Sequence, residues 1–325
     1  MNHPISRRSL LASGAGTAAL AALPAAFAQG GRPVRVILPV AAGSGVDTIA
    51  RTASNALNNA FGAPVAIENI PGAGGVIGAS AIAKAPADGS TLGFISNNHI
   101  INGAIYKKLP FDPVGDFTPI CVVGASPLLL AVGAKCPAKN VQELVALLKA
   151  DPDKYNYAST GNGTIIHLAN ELFLHEANVK ARHIPYRETG PMVNDLRAGT
   201  VDFSVFGASA ARAHLRSGAI RAVGVCSATR SPADPSIPTV AEQGLPNVII
   251  EGWFAFVGPA GMPEVEVRRA NEAIVTAFRT KEVAEALAKN GTSVRPSSPQ
   301  EAGAFFRSEA ARYASLAQKA GVTPQ

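Results

Sequence analysis

Residues that mark catalysis or metal binding are scarce, and those present are badly spaced for either. The three cysteines, Cys121, Cys136 and Cys226, form no ligand-like spacing and are odd in number for a disulfide framework. Each sits in or beside an apolar strand-like run, which predicts buried free thiols. Lysine and arginine never cluster into a run or interleave with aromatics, which excludes a nucleic-acid surface. Gly72, Gly74 and Gly78 miss the dinucleotide fingerprint because position 77 is Ile, and no lysine follows a Gly-rich loop at Walker spacing. His175-Glu176 lacks the second helical histidine of a zinc protease. Neither Ala158-Ser159-Thr160-Gly161 nor Gly43-Ser44-Gly45 is a nucleophile elbow. No cofactor and no metal are expected, and no internal repeat appears.

What is present begins at the N-terminus. Ser6-Arg7-Arg8-Ser9-Leu10-Leu11 precedes an Ala- and Leu-rich stretch ending at Ala26-Phe27-Ala28. A positive start, a short apolar core and a small-x-small site predict a signal peptide over residues 1–28, cleaved after Ala28, with Pro24 breaking the helix before the site. The paired arginines favour the twin-arginine route. A retained anchor is the alternative, since the stretch approaches the ~20 residues that span a bilayer, but its Ala and Gly content makes it weakly hydrophobic. Losing Arg7 and Arg8 would lower the formal charge from +6 to +4. The remaining about 300 residues suit two lobes better than one core.

Strand-like runs alternate with helical patterns, the mark of parallel sheets covered by helices. Val34–Leu38 is the first strand. It leads into a helix with Ile49, Ala53, Ala56, Leu57 and Ala60 on its apolar face, ending at Gly62. Val65–Glu68 and Thr91–Ser96 follow as strands. Then Cys121–Gly124 and Leu128–Val132 form two apolar runs with no helix between them, interrupted by Ser126-Pro127. A second block has a helix capped by Asn140 and strands at Asn156–Ser159, Ala181–Ile184, Val201–Phe206 and Ile220–Cys226. Val248–Val257 resembles a return crossing, and helices over Glu264–Arg279 and Pro299–Ala320 close the chain. The economical architecture is α/β with two lobes, 29–125 plus 252–325 and 126–251, joined by two extended hinge strands.

Ligands of open α/β sheets bind at the carboxyl ends of strands, and two turns there have the make-up of anion cradles. In Ala42-Gly43-Ser44-Gly45-Val46-Asp47, Ser44 is the expected N-cap and Asp47 the third helical residue of a capping-box-like pair. In Ser159-Thr160-Gly161-Asn162-Gly163-Thr164 a strand passes through two glycines into a helix bearing His167. Free amides and the positive helix end favour a carboxylate or phosphate. His99, beside Asn97 and Asn98 after a strand end, is a candidate donor, and Gly207 ends another strand. His167 reads as a buttress of its loop.

These residues resemble the substrate-binding receptors of tripartite tricarboxylate transporters, the Bug receptors. Pro39–Asp47 looks like the family's Pro-x-x-x-Gly-Gly-x-x-Asp loop. Glu68-Asn69 with Pro71–Gly75 looks like its Val-x-Asn-x-Pro-Gly-Ala-Gly-Gly turn. Asp88-Gly89-x-Thr91-Leu92, Phe111-Asp112-Pro113 with Asp116-Phe117-x-Pro119, Ser159–Leu168, His183-x-Pro185-Tyr186 and Pro238-Thr239-x-x-Glu242 also match. The resemblance implies a type II periplasmic-binding-protein fold and no catalysis. It also implies a carboxylate held by backbone amides and hydroxyls, partly through water, with Tyr186 in the site. The expected partners are a small carboxylate and the membrane subunits of such a transporter, with the receptor itself a monomer.

Two departures bear on the ligand. Ser44 replaces the family's second glycine, and Glu188 occupies a position usually held by glycine. A cleft-facing Glu188 would repel a second ligand carboxylate and attract an ammonium group. Competing functions are an extracytoplasmic sensor on the same fold, and an exported hydrolase using Ser159 or Ser44 with His99 or His167. No recognised spacing signals that hydrolase.

Overall fold

Val34, Val36, Ile37 and Leu38 are buried with only Arg35 exposed, so β1 (Val34–Leu38) is covered on both faces, as an inner parallel strand must be. β2 (Val65–Asn69) alternates between half-buried and exposed positions and lies at the sheet edge. The computed structural model describes residues 32–289, 291–319 and 322. The predicted signal peptide and its cleavage point lie outside them.

The first sheet runs β2, β1, β3 (Thr91–Ser96), β9 (Glu251–Pro259) and β4 (Phe117–Gly133), with the short β10 (Ser293–Val294) on the outer side of β4. β1 is parallel to β2 and β3, whereas β9 is antiparallel to both β3 and β4. The second sheet begins on the far half of β4. That half takes β8 (Ile220–Val225) on one side and β7 (Phe203–Gly207) on the other, followed by β5 (Asn156–Ser159) and β6 (Arg182–Pro185). β5 is parallel to its neighbours β6 and β7.

The helices are α1 (Gly45–Thr52), α2 (Ser54–Phe61), α3 (Val76–Ala83), α4 (Asn97–Ile105), α5 (Val141–Ala150), α6 (Ile165–Ala177), α7 (Thr189–Ala198), α8 (Ala208–Arg216), α9 (Glu264–Arg279), α10 (Lys281–Lys289) and α11 (Pro299–Lys319). None of the described helices is long and apolar enough to cross a membrane. Asn140 caps α5 as expected, its side chain accepting from Glu143 N at 2.8 Å.

Two expectations need correction. The single helix expected to end at Gly62 is broken at Ala53 into α1 and α2. The Thr52 hydroxyl donates to the Thr48 carbonyl and that of Ser54 to the Arg51 carbonyl, each at 2.8 Å, and such back-bonding bends helices. The two apolar runs around Ser126-Pro127 are one strand of 17 residues. Pro127 is tolerated because it stands where the ladder changes partners: Pro127 faces Glu251 in β9, and Leu128 already faces Gly207 in β7. The return crossing is equally abrupt. Ile250 N still donates to Cys226 O in the second sheet at 2.7 Å, and β9 starts at the next residue.

Register shifts in β4 fall between Leu130 and Ala131 opposite β8, and between Pro119 and Cys121 and between Val122 and Gly124 opposite β9. Gly124 (φ 158) is required there: a Cβ would lie 2.0 Å from the Ser293 carbonyl oxygen. Cys121 and Cys226 are buried free thiols and Cys136 is half-buried. Burial pushes Cys121 up to about 11 and Cys226 up to about 12, so both are inert at neutral pH.

Candidate functional site

Both predicted cradles are helix entries at the carboxyl ends of strands. At α1 the Ser44 side chain accepts from Asp47 N at 3.3 Å. The reciprocal half of the capping box shifts by one residue: Asp47 takes the amide of Gly43 at 2.9 Å, while Ser44 N donates to Ala41 O. Arg51 Nε, at 2.9 and 3.0 Å, and Asn69 Nδ2, at 3.0 Å, complete the shell around the Asp47 carboxylate. Burial raises this carboxyl's pKa, but the bonds from Arg51, Gly43 and Asn69 outweigh it and hold the group below the usual range. Asp47 is therefore a saturated strut of the loop. The amides of Gly45 and Val46 have no intrahelical acceptor, and Ala42 and Gly43 are exposed at the lip.

The second cradle is tied down by its own side chains. Ser159 Oγ accepts from Gly161 N at 3.1 Å and lies 2.6 Å from His183 Nε2. Thr164 caps α6, donating to Gly161 O at 2.9 Å and accepting from His167 N at 3.3 Å. Thr160 is half-buried, with its hydroxyl 3.5 Å from that of Thr164. His167 Nδ1 accepts from Gly163 N at 3.1 Å, which fixes the neutral tautomer with its proton on Nε2. His167 and His183 stack with centroids 4.2 Å apart, and His183 stacks in turn on Tyr157. Burial lowers both imidazoles to about 4, so the 3.8 Å approach of His167 to Glu171 is no ion pair at neutral pH. His167 is thus the buttress that its position suggested.

Each cradle meets an element of the opposite sheet. Asn98, at the start of α4 on the first sheet, accepts the amide of Ile165, the first residue of α6 on the second, at 2.9 Å. Gly163 (φ 71) is packed so closely on Ile105 that a Cβ would fall 1.8 Å from Ile105 Cδ1. A Cβ on Gly45 would be 3.3 Å from Ser209 Oγ at the start of α8. Gly207 is the N-cap of α8, and a Cβ there would meet nothing within 4 Å.

Other candidates point elsewhere. Asn97 is spent on the crossing: its amide donates to Glu251 O at 2.9 Å and to the Tyr313 hydroxyl, and its oxygen accepts from Trp253 N at 2.8 Å. His99 is 4 % exposed, 2.8 Å from Pro113 O through Nε2, and packed against Phe111 and Phe117. Burial lowers it to about 4, against the Pro113 carbonyl. Tyr186 donates to Asp195 at 2.6 Å. Glu188 caps α7 by position only and is exposed. Ser159 has neither His99 nor His167 as a partner; its neighbour is His183, and its hydroxyl is fully buried. Two cavities, of about 270 and 410 Å3, sit beyond the Gly133 end of β4 and include none of these residues. Among the described residues no group of three or more His, Cys, Asp or Glu is placed to hold a metal.

Asn98, Ser209 and His183 belong to this region and were not singled out from the sequence. Asn98 and Asn97 are adjacent and chemically identical, and only the direction of the α4 entry separates a cross-sheet cap from a crossing clamp.

Two α/β sheets threaded by one strand and one return crossing, with helix entries of each sheet touching the other, define a two-lobe solute-binding receptor of the periplasmic-binding-protein type. Comparison with known proteins narrows this. The model of the tripartite tricarboxylate transporter family receptor matches residues 49–322, and the chain belongs to that family. The protein BugT of Bordetella pertussis is 33 % identical over 307 residues, 94 % of each chain. The periplasmic binding protein BugD superposes with a TM-score of 0.84 at 28 % identity, over 90 % of this chain and 99 % of that one. Rpa4515 of R. palustris, solved with adipate, superposes at 0.86 with 30 % identity and the same coverage. MatC of Rhodopseudomonas palustris, solved with malate, gives 0.81 at 30 % identity, over 88 % of this chain and 98 % of that one.

Proposed function

We propose that this chain is an exported periplasmic receptor that captures a small carboxylate between its lobes and delivers it to the membrane subunits of a tripartite tricarboxylate-type transporter. The observation that carries the reading is that each cradle helix abuts a helix entry of the other sheet: Gly45 of α1 approaches Ser209 of α8, and Ile165 of α6 donates to Asn98 of α4. Each cradle helix N-terminus is worth ~0.3–1 kcal/mol to an anion and up to about 2 kcal/mol when partly buried, and we place the ligand between the two. The lobes are 29–125 with 252–325, and 126–251, hinged at the partner change of β4 and at the Ile250–Glu251 step. Ala42, Gly43 and Ser44 form one wall of the proposed site, and Thr160, Gly163, Thr164 and Gly207 form the other. Asp47, Ser159 and Tyr186 hold those walls in shape. Relatives solved with adipate and malate support a carboxylate as the ligand class.

The test is a thermal-shift screen of small carboxylates followed by calorimetry. A ligand that binds only the native state raises its stability by RT ln(1 + [L]/Kd). Stabilisation by at least one carboxylate is expected, and a flat response across mono-, di- and tricarboxylates would sink the ligand class. Uptake of that ligand in a strain deleted for the chain separates transport from sensing.

A further inference from the structure

Four buried side-chain heteroatoms have no hydrogen-bond partner among the described residues: His99 Nδ1, Ser126 Oγ, Arg212 Nε and Thr292 Oγ1. His99 lies among the rings of Phe111 and Phe117. The other three share one locality, where β4 passes between the sheets. Ser293 is the Cα partner of Ala125, and continuing that register sets Thr292 opposite Ser126. Both are 3 % exposed. Gly291 precedes Thr292, and a Cβ on it would lie 3.6 Å from Ala208 Cβ and 3.7 Å from Arg212 Nη2. Ala208 follows Gly207, whose partner in β4 is Leu128, two residues beyond Ser126.

All three groups can donate: the guanidinium N–H only donates, and the two hydroxyls donate as well as accept. Among the described residues no carboxylate lies within ion-pair distance of Arg212. A buried donor without an acceptor is costly, and a guanidinium fork matches a carboxylate in geometry as well as charge. The location also fits. Ser209, which approaches the α1 entry, and Arg212 are three positions apart on α8, so they share a face with a rise of about 4.5 Å between them. A short aliphatic diacid covers such a span.

We propose that Arg212, assisted by the hydroxyls of Ser126 and Thr292, receives a second carboxylate of the ligand, so that the receptor selects dicarboxylates over monocarboxylates. This rests on the carboxylate-receptor reading. It also ranks Arg212 against Glu188. The Glu188 charge is exposed to solvent and screened over about 8 Å at physiological ionic strength, whereas Arg212 is half-buried with its Nε out of water.

Calorimetry on the full mature chain decides the matter, with succinate and adipate paired against butyrate and hexanoate. In Arg212→Met, diacid affinity is expected to fall at least tenfold while monoacid affinity stays within twofold. Thr292→Val, which removes a hydroxyl at constant shape, is expected to lower the diacid-to-monoacid ratio several-fold and decides the question by that ratio if R212M does not melt cooperatively. Equal losses for both acid types, as a purely structural or water-filled cluster would give, or an unchanged ratio, overturn the inference. Wild-type protein that binds none of the four acids overturns the dicarboxylate inference, and the carboxylate reading itself falls only if the wider screen of mono-, di- and tricarboxylates is also flat.

Discussion

Asn98 Oδ1 accepts the backbone amide of Ile165 at 2.9 Å, so a side chain at the end of a first-sheet strand caps a helix that leaves the second sheet. The bond joins the two proposed lobes, so on that proposal it belongs to their closed arrangement. An N-cap is worth typically ~1 kcal/mol, or about fivefold in an equilibrium constant.

Asn98→Ala should therefore weaken ligand affinity by about fivefold with a change in ligand-free melting temperature no larger than an ordinary cap loss. Solution scattering should also show a larger radius of gyration without ligand than for wild type. A variant with unchanged affinity and unchanged size would remove Asn98 from the closure.

Stability should fall with pH in the window set by three histidines. His99, His167 and His183 are each lowered to about 4 by burial, against about 6.5 in the unfolded chain. Their neutral forms are the ones folded, so the unfolded state binds more protons between these values. Stability is then complete above pH 6.5 and declines as pH drops toward 4. His99 alone contributes on the order of 3 kcal/mol. Urea titrations at pH 7, 5.5 and 4.5 test this, and His99→Gln should flatten part of the slope. Protonating His167 also turns its Nδ1 from acceptor to donor against the Gly163 amide, so ligand affinity should fall in the same window.

Glu188→Gly should shift the succinate-to-aspartate affinity ratio toward succinate, but by no more than about threefold, because an exposed charge acts through water. A shift of tenfold or more, measured by calorimetry at physiological salt, would place that carboxylate in the cleft and reverse its ranking against Arg212.

Replacing Arg7 and Arg8 together with lysine should abolish periplasmic recovery, with precursor retained inside the cell. Mature protein starting at Gln29, read by N-terminal sequencing of wild type, is the companion result. Normal export of the double variant would exclude the twin-arginine route while leaving secretion intact.

Much of the fold was legible because apolar runs bounded by turn residues carry local information. Val34–Leu38, Thr91–Ser96 and Asn156–Ser159 begin and end where their patterns do. Caps were legible for the same reason: Ser44 and Asn140 each bond the amide three residues on, whereas Thr164 does the same for α6 without having been read as a cap. The break at Ala53 was not, since an αR junction held by Thr52 and Ser54 hydroxyls leaves no glycine or proline behind. The destinations of His99 and Asn97 depended on Pro113 and on Glu251, Trp253 and Tyr313, partners that the fold alone supplies. Arg212 looks from sequence like any arginine on a helix, and its isolation emerges only from what surrounds it.

The continuous strand β4 also limits how this molecule can deform. Its first half is laddered to β9 and its last half to β7 and β8, so neither sheet can slide along the strand without shifting the other by the same step. Translation is thereby forbidden, and twist about the shared backbone near Ser126-Pro127 remains. On the two-lobe proposal the cradles would part as a jaw opens, by rotation with fixed register, and the widest parting would fall at the rim, farthest from that axis. A solute seated near the axis, where Ser126 lies, is the last thing that such a rotation uncovers.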